Sequence, residues 1–280
     1  MSGLFSMISS LELTQGAYFP AKGMRSIVTS LYKLAVEEKV DFMFGKNAQL
    51  TPNADGHFSL KGTNIRATQI ISAIDHLTFH EHVLPNDKMH ARYSPLERSS
   101  SGLVFYWGVS TTIPDLTVHN IFFGDNYQRE FQSIFNDKLN YKAPTVYVHV
   151  SSLVNSKDAP DNSMNLFVMI NTSAHDAPNE EYRRGMKKYV EYIFLKKFGV
   201  SLNEHRVVDE YWDNDSIQER SGSFTGALYG PASNSISAVL RRHPNKLNNT
   251  PNVFFCGGTV HPGGGIPLVL RSAKIVADLI

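Results

Sequence analysis

Residues 252–280, NVFFCGGTVHPGGGIPLVLRSAKIVADLI, offer a way to bind a ligand through the backbone alone. The apolar run Val253–Cys256 has the length of a buried strand and is ended by Gly257 and Gly258. Pro262 followed by Gly263, Gly264 and Gly265 removes nearly every side chain from the next turn, so the main chain can approach a ligand closely. Pro267 suits the first turn of a helix, where its missing N–H is not needed. Leu268, Val269, Ala273, Ile275, Val276, Leu279 and Ile280 give that helix an apolar face. Strand, glycine loop and helix N-terminus together aim unpaired N–H groups and the positive end of a helix dipole at one spot. A phosphate or a heterocycle with partial negative charge suits such a spot. The same pattern also serves as a tight turn between a strand and a packing helix.

Other chemistry has weaker anchors. The segment 76–100 carries four histidines, among them His80 and His82 around Glu81. Two histidines at i and i+2 without a third ligand at suitable spacing do not make a metal site, so no metal is expected and the segment reads as a solvated linker. Gly222–Gly230, GSFTGALYG, lacks the Gly-x-Ser-x-Gly turn of a serine hydrolase. No side chain is assigned as a catalytic acid, base or nucleophile.

The elements that must position the loop are readable from periodicity. Met24, Ile27, Val28, Leu31, Leu34 and Ala35 recur at helical spacing and predict a helix ending near Lys39. Val40–Phe44 then reads as a strand, Asn53–Gly56 as a hairpin turn and Ile65–Ile74 as another strand. Four β-like runs follow, Leu103–Val109, Val118–Phe123, Thr145–Val150 and Leu166–Ile170, and predict a largely antiparallel sheet. Phe105, Tyr106, Trp107, Phe122 and Phe123 fill either the core of that sheet or the wall of an apolar tunnel. Glu180–Phe198 is the clearest long helix, and residues 1–15 form a mildly apolar lead-in with no assigned element.

At 280 residues the chain is long enough for about two domains. Its 27 Lys and Arg against 26 Asp and Glu leave almost no net charge, and nothing in that balance points to nucleic acid. The one cysteine, Cys256, reads as a packed thiol in a reducing compartment. No apolar run approaches the roughly 18 residues of a spanning helix, and the first residues lack a basic start and a small-residue cleavage site. The expectation is a cytoplasmic protein, soluble or peripheral on the inner face of the cell membrane. Six basic residues on the helix 180–198 make it the candidate docking element, with an ordinary surface helix as the other reading.

The string Gly257-Gly258-Thr259-Val260-His261-Pro262-Gly263-Gly264-Gly265-Ile266-Pro267, followed by Arg271-Ser272-Ala273-Lys274, resembles the C-terminal FAD-binding signature of the phytoene desaturase, or carotenoid oxidoreductase, family. Residues 16–75 resemble the middle segment of the flavin domain in that family, with Lys22-Gly23-Met24 where its members usually have Gly-Gly-Met. Gly222–Gly230 and Arg241–Asn245 find counterparts there as well. Val118–Phe123 with Asp125, Tyr127, Glu130 and Phe131 is most similar to the hydroxycarotenoid 3,4-desaturase branch. The resemblance implies a mixed α/β chain: part of a Rossmann-like FAD-binding domain at 1–75 and 246–280, and a substrate domain with a largely antiparallel sheet at 76–245. It implies FAD as cofactor, an apolar polyene as substrate and dehydrogenation of a C–C bond as the reaction. Flavin contacts are expected from the backbone at Gly257, Gly258, Thr259, Gly264, Gly265, Ile266, Pro267 and Leu268.

The Gly-x-Gly-x-x-Gly turn with which family members begin has no counterpart in this sequence. The expectation is therefore a C-terminal portion; a split enzyme completed by a partner chain and a degenerate paralogue are the two alternatives. A retinol saturase or amine oxidase of the same superfamily, and a non-catalytic binding or scaffold protein, are the alternative functions.

Overall fold

The computed structural model describes residues 10, 13–135, 141–235, 238 and 240–280. Most of the lead-in 1–15 lies outside them. The larger of two layers is a five-stranded antiparallel sheet, in spatial order β6 (His119–Phe122), β7 (Val146–His149), β8 (Met164–Thr172), β5 (Ser101–Val109) and β9 (Arg206–Trp212). Strict alternation fixes which face is buried. Leu103, Phe105 and Trp107 of β5, Val146 and Val148 of β7, and Leu166, Val168 and Ile170 of β8 all point to one side and are buried together. That side is closed by the long helix Glu180–Phe198, whose Met186, Val190, Ile193 and Phe194 join the same core.

This helix starts and stops where its sequence says it should. The Asn179 side chain accepts from the Tyr182 N–H, Glu180 and Glu181 occupy the first turn, Lys196 and Lys197 the last, and Gly199 turns left-handed at φ 68°. Its basic residues largely serve the fold. Arg183 donates to Asp213 and the Pro178 carbonyl, Arg184 pairs with Glu180, Lys187 pairs with Asp209, and Lys197 lies over the Phe122 ring.

The opposite face of the sheet is partly covered and carries two rows of side chains in direct register. One runs His119, His149, Phe167, Tyr106; the other runs Ile121, Tyr147, Met169, Val104, Trp212. The edge strand β9 is not evident from periodicity because Arg206, Asp209 and Glu210 interrupt its apolar pattern, as charges on an edge strand commonly do.

The smaller layer gathers the two ends of the chain. Strand β4 (Ile70–Ser72) runs parallel to β11 (Thr250–Phe255), and β10 (Lys246–Leu247) pairs with β11 antiparallel on its other side. Val253 and Phe255 are buried there with Leu77, Phe79, Met89 and Tyr93. Mixed α/β architecture with a largely antiparallel second sheet agrees with the expected class. Three local expectations fail. Val40–Phe44 is not a strand, because it has no sheet partner. Ile65–Ile74 divides in two: β3 (Arg66–Ala67) joins β1 (Leu50–Pro52) and β2 (Phe58–Leu60) around the Asn53–Gly56 turn, and β4 joins β11. The histidine-rich stretch is packed and not a solvated linker: it forms a helix at His76–Thr78, a π-helical turn at Phe79–Val83 and a helix at Asp87–Tyr93. Its apolar residues at 77, 79, 89 and 93 drive that burial, and counting histidines obscured them.

Among the described residues no helix is long and apolar enough to cross a membrane. Because Phe194 is fully buried at the centre of the larger core, Phe194→Ala is expected to destabilise the fold by about 3–5 kcal/mol. The measurement is the urea midpoint, which should fall with the slope unchanged.

Candidate functional site

The strand β11 ends on a loop that the rest of the smaller layer holds from behind. Gly257, Gly263 and Gly265 take φ values of 115°, 138° and 98°, which other residues rarely adopt. A Cβ on Gly264 would lie 2.6 Å from the Tyr229 ring, so its bareness serves packing. Gly265 differs: nothing lies within 4 Å of a Cβ built there. Gly265 is also the N-cap of the helix Ile266–Leu279, with no side chain capping its first turn. Pro267 has no N–H, so Ile266 and Leu268 carry the free donors at this helix end. Both residues are exposed.

Behind the loop lies Arg242, buried with its guanidinium fanned over four acceptors. Nη1 donates to the carbonyls of Gly258 at 3.0 Å and Tyr229 at 3.4 Å; Nη2 donates to Pro231 O at 2.8 Å and Ser233 Oγ at 2.9 Å. Burial, and secondarily the charge of Arg98, lower its pKa to about 10, so it stays charged at neutral pH. Asn245 Nδ2 reaches Phe255 O, His261 O and Ser272 Oγ within 2.9–3.0 Å. Ser272 Oγ accepts from Gly257 N at 3.2 Å and donates to His261 O at 2.9 Å.

A second buried charge joins the two layers. Asp75 caps the helix at His76 by accepting from Leu77 N at 2.9 Å, and its other oxygen accepts from Arg98 Nη2 at 2.9 Å and Phe224 N at 3.3 Å. Both side chains are about 1% exposed. Alongside, the rings of His76, His80 and His243 form a buried cluster with Tyr93 and Phe255, and the Nε2 atoms of His80 and His243 lie 3.2 Å apart. Burial is the main cause holding these histidines neutral. It pushes His76 to about 2, with His243 adding; His243 to about 3, with His80 adding; and His80 to about 4, with His90 adding. Among the described residues no group of three His, Cys, Asp or Glu side chains is arranged to hold a metal.

A family model for flavin containing amine oxidoreductases matches residues 1–280. The chain belongs to this flavin-containing oxidoreductase family. It is 40% identical over 283 residues to a 1-hydroxycarotenoid 3,4-desaturase of a Flavobacterium species, covering 99% of this chain and 58% of the relative. It is 27% identical over 310 residues to a phytoene desaturase of Fusarium fujikuroi, covering 99% of this chain and 54% of the relative. Among solved structures, a putrescine oxidase redesigned in cofactor binding superposes with a TM-score of 0.57 at 15% identity, over 92% of this chain and 53% of that one, and so shares the fold. The chain thus spans a little over half the length of the relatives it matches.

Within this flavoprotein fold the residues singled out in the sequence come together. Gly258 and Gly264 touch, a Cβ on Gly258 falling 3.4 Å from Gly264 Cα, while Thr259 closes against Gly230 and its Oγ1 accepts from His76 N at 3.4 Å. Arg98, Arg242, Asn245 and Ser272, which hold the loop or brace it against the sheet, carry no periodic signal that marks them. Arg242 and Asn245 fall in the Arg241–Asn245 motif and Ser272 in the Arg271–Lys274 motif, but neither motif by itself states their bracing role. Cys256 is half-buried and its thiol pKa is raised by burial, which suits packing and not reactivity.

The histidine cluster makes a pH prediction. Each ring takes up a proton near 6.5 when unfolded but only near 2–4 when folded, so stability is retained above about pH 6.5 and is lost as pH falls below it. Three such groups give a slope of up to about 4 kcal/mol per pH unit near pH 5. Urea midpoints measured from pH 7 to 4.5 should follow that slope, and His80→Phe should lower it by about a third.

Proposed function

We propose that this chain is the flavin-loop and substrate portion of an FAD-dependent desaturase that dehydrogenates a C–C bond of a carotenoid. The observation that carries the reading is the open helix end at Gly265, Ile266 and Leu268. Its free N–H groups, the helix dipole and the charge of Arg242 behind the loop all favour electron density in front of Gly265. An isoalloxazine edge suits that position because the loop offers backbone and no side chain to obstruct it. The flavin, when bound, supplies the redox chemistry.

The residues of this chain would bind and orient. Gly257, Gly258 and Thr259 present one side of the loop, and Gly264, Gly265, Ile266, Pro267 and Leu268 the other. No acid or base is assigned, in keeping with an apolar polyene that offers no polar handle at the reacting carbons. Carotenoid chemistry is favoured by the desaturase relatives at 40% and 27% identity. On this reading residues 1–75 and 246–280 belong to the flavin half and 76–245 to the substrate half. The adenylate end of FAD would be held by a dinucleotide-binding segment outside these residues. The exposed apolar faces at Val28, Leu31 and Leu34 and at Leu268 and Leu270, with Ile71 on the open edge strand β4, are the surface it would cover.

Gly265→Val tests the loop. The residue must keep φ near 98°, at a strain of about 1–3 kcal/mol, and its side chain would project into the open space. Titrating the chain with FAD and following quenching of flavin fluorescence should show binding to the wild type and at least a tenfold loss in the variant, measured well below its unfolding midpoint. An unchanged titration would sink the assignment.

A further inference from the structure

Two of the buried histidines stand directly behind the glycine loop. His243 forms a parallel bridge with Val260, its carbonyl accepts from His261 N at 2.9 Å, and its ring centroid lies 4.4 Å from that of Phe255. His80 comes from the π-helical turn Phe79–Val83, 163 positions away in the chain, and meets His243 through the two Nε2 atoms at 3.2 Å. From the same region His76 N donates to Thr259 Oγ1 at 3.4 Å. Arg242, Asn245 and Ser272 tie the loop to its near neighbours, whereas the histidine contact ties it to the segment 76–93.

Hydrogen-bond chemistry fixes where the protons sit. His243 Nδ1 lies 2.8 Å from the Pro244 carbonyl oxygen, which only accepts, so Nδ1 carries the proton and Nε2 of the neutral ring is an acceptor. His80 must then donate from its own Nε2, and its Nδ1 is a lone pair, buried without a hydrogen-bond partner among the described residues. The result is a one-way chain from His80 through His243 to Pro244 O. A further proton on His243 Nε2 would set two N–H groups against each other. On His80 Nδ1 it would meet no acceptor in hydrogen-bond geometry.

The surroundings supply no countercharge. Arg98 and Arg242 lie beside His76, and His90, Arg92 and Tyr93 face the pair from the helix Asp87–Tyr93. Asp75 is held by Arg98, Leu77 N and Phe224 N, and lies 3.8 Å from His76 Nδ1. Glu81 is half-exposed and lies near His82 and His90. Burial is the largest cause holding both rings below the usual histidine range. At His80 the charge of His90 adds and the Leu84 backbone opposes; at His243 the charges of His80 and Arg92 add and the Pro244 carbonyl opposes.

We propose that the His80–His243 pair is the positioning couple of the flavin loop: with both rings uncharged it holds residues 259–261 in their binding form, and one further proton on the pair frees the loop and releases the flavin while the rest of the chain stays folded. The inference rests on the flavin reading of the loop and adds an acid-sensitive control to it. A ring exposed to water takes up its proton near pH 6.5 and the buried pair does not. The closed form is therefore favoured above that pH and loses its advantage below it, by roughly tenfold per pH unit for each ring. The larger layer has no histidine in its core, so the release is local to the smaller one.

FAD titrations followed by flavin fluorescence from pH 7 to 5 test this. Tryptophan emission of flavin-free samples reports the fold, since Trp107 and Trp212 both lie in the larger layer. Affinity of the wild type should fall by about tenfold or more between pH 7 and 5, before tryptophan emission changes. His80→Gln, whose amide donates to His243 Nε2 but takes up no proton, should reduce that fall to about threefold or less. His82→Gln, at an exposed histidine two positions on, should leave the profile as it is. His243→Gln, whose carbonyl accepts from His80, should also flatten the profile and carries the test if His80→Gln does not fold. A constant affinity from pH 7 to 5, a fall that coincides with the change in tryptophan emission, or a fall that both glutamine variants retain overturns the positioning couple and leaves the flavin reading in place. Absence of flavin binding by the wild type at pH 7 overturns both.

Discussion

A loop made of glycine cannot hold its own shape, and everything around residues 256–265 follows from that constraint. The glycines lose more conformational freedom on ordering than any other residue, so the order must be imposed from outside. Arg242 imposes it by converging on carbonyls of two separate segments, at Gly258 and at Tyr229 and Pro231. A hydrogen bond from a charged donor is stronger than a neutral one, and several on one planar group fix distances and angles together. Lysine at the same place would be a point charge unable to span that fan. Asn245 and Ser272 complete the scaffold from the strand and helix on either side.

That solution has an electrostatic consequence. Among the described residues the hydrogen bonds of Arg242 go to carbonyl oxygens and a hydroxyl, so its charge is solvated by dipoles and not cancelled by a carboxylate. Its Nε, and Nε and Nη1 of Arg98, are buried without a hydrogen-bond partner among the described residues. Positive potential therefore accumulates behind the loop and adds to the dipole of the helix at Ile266. The histidines next to it are neutral for the same reason: a further charge would be desolvated and repelled at once. Asp75 is the counterweight, and because it also caps a helix and accepts from Phe224 N it locks the smaller layer to the entrance of β5.

What the sequence revealed depended on whether a segment's environment was local or remote. The helix 180–198 and strands β5 to β8 were legible because each buries one face on a regular period. The glycine loop was legible because its composition permits little else. Strand β9 was hidden, since an edge strand tolerates the charges that Arg206, Asp209 and Glu210 bring and that a period-based reading counts against it. The stretch 76–93 was misread for the opposite reason: His76 and His80 look solvated in sequence, and only the proximity of His243, more than 160 positions away in the chain, makes their burial as a cluster possible. The roles of Arg98 and Arg242 are likewise set by carbonyls and carboxylates that no local pattern brings near them.

The two layers also differ in how completely they are finished. The five-stranded sheet is closed on one side by its long helix and buries a continuous core. The smaller layer has β4 as an edge strand, and the helix Arg25–Glu37, earlier in the chain, buries none of its residues. Val28 is 66% exposed and Leu31 54% exposed on that helix, although its apolar residues recur at the spacing of a packed face. An amphipathic helix gains most of its stability from the face it packs, so this one has the sequence of a buried element without the burial. The same holds for Leu268 and Leu270 at the start of the last helix. An edge strand with a parallel partner, together with two helices whose apolar faces are uncovered, is what a further βαβ unit completes, and for that reason the proposed flavin half is the part of this molecule whose stability should depend on what covers it.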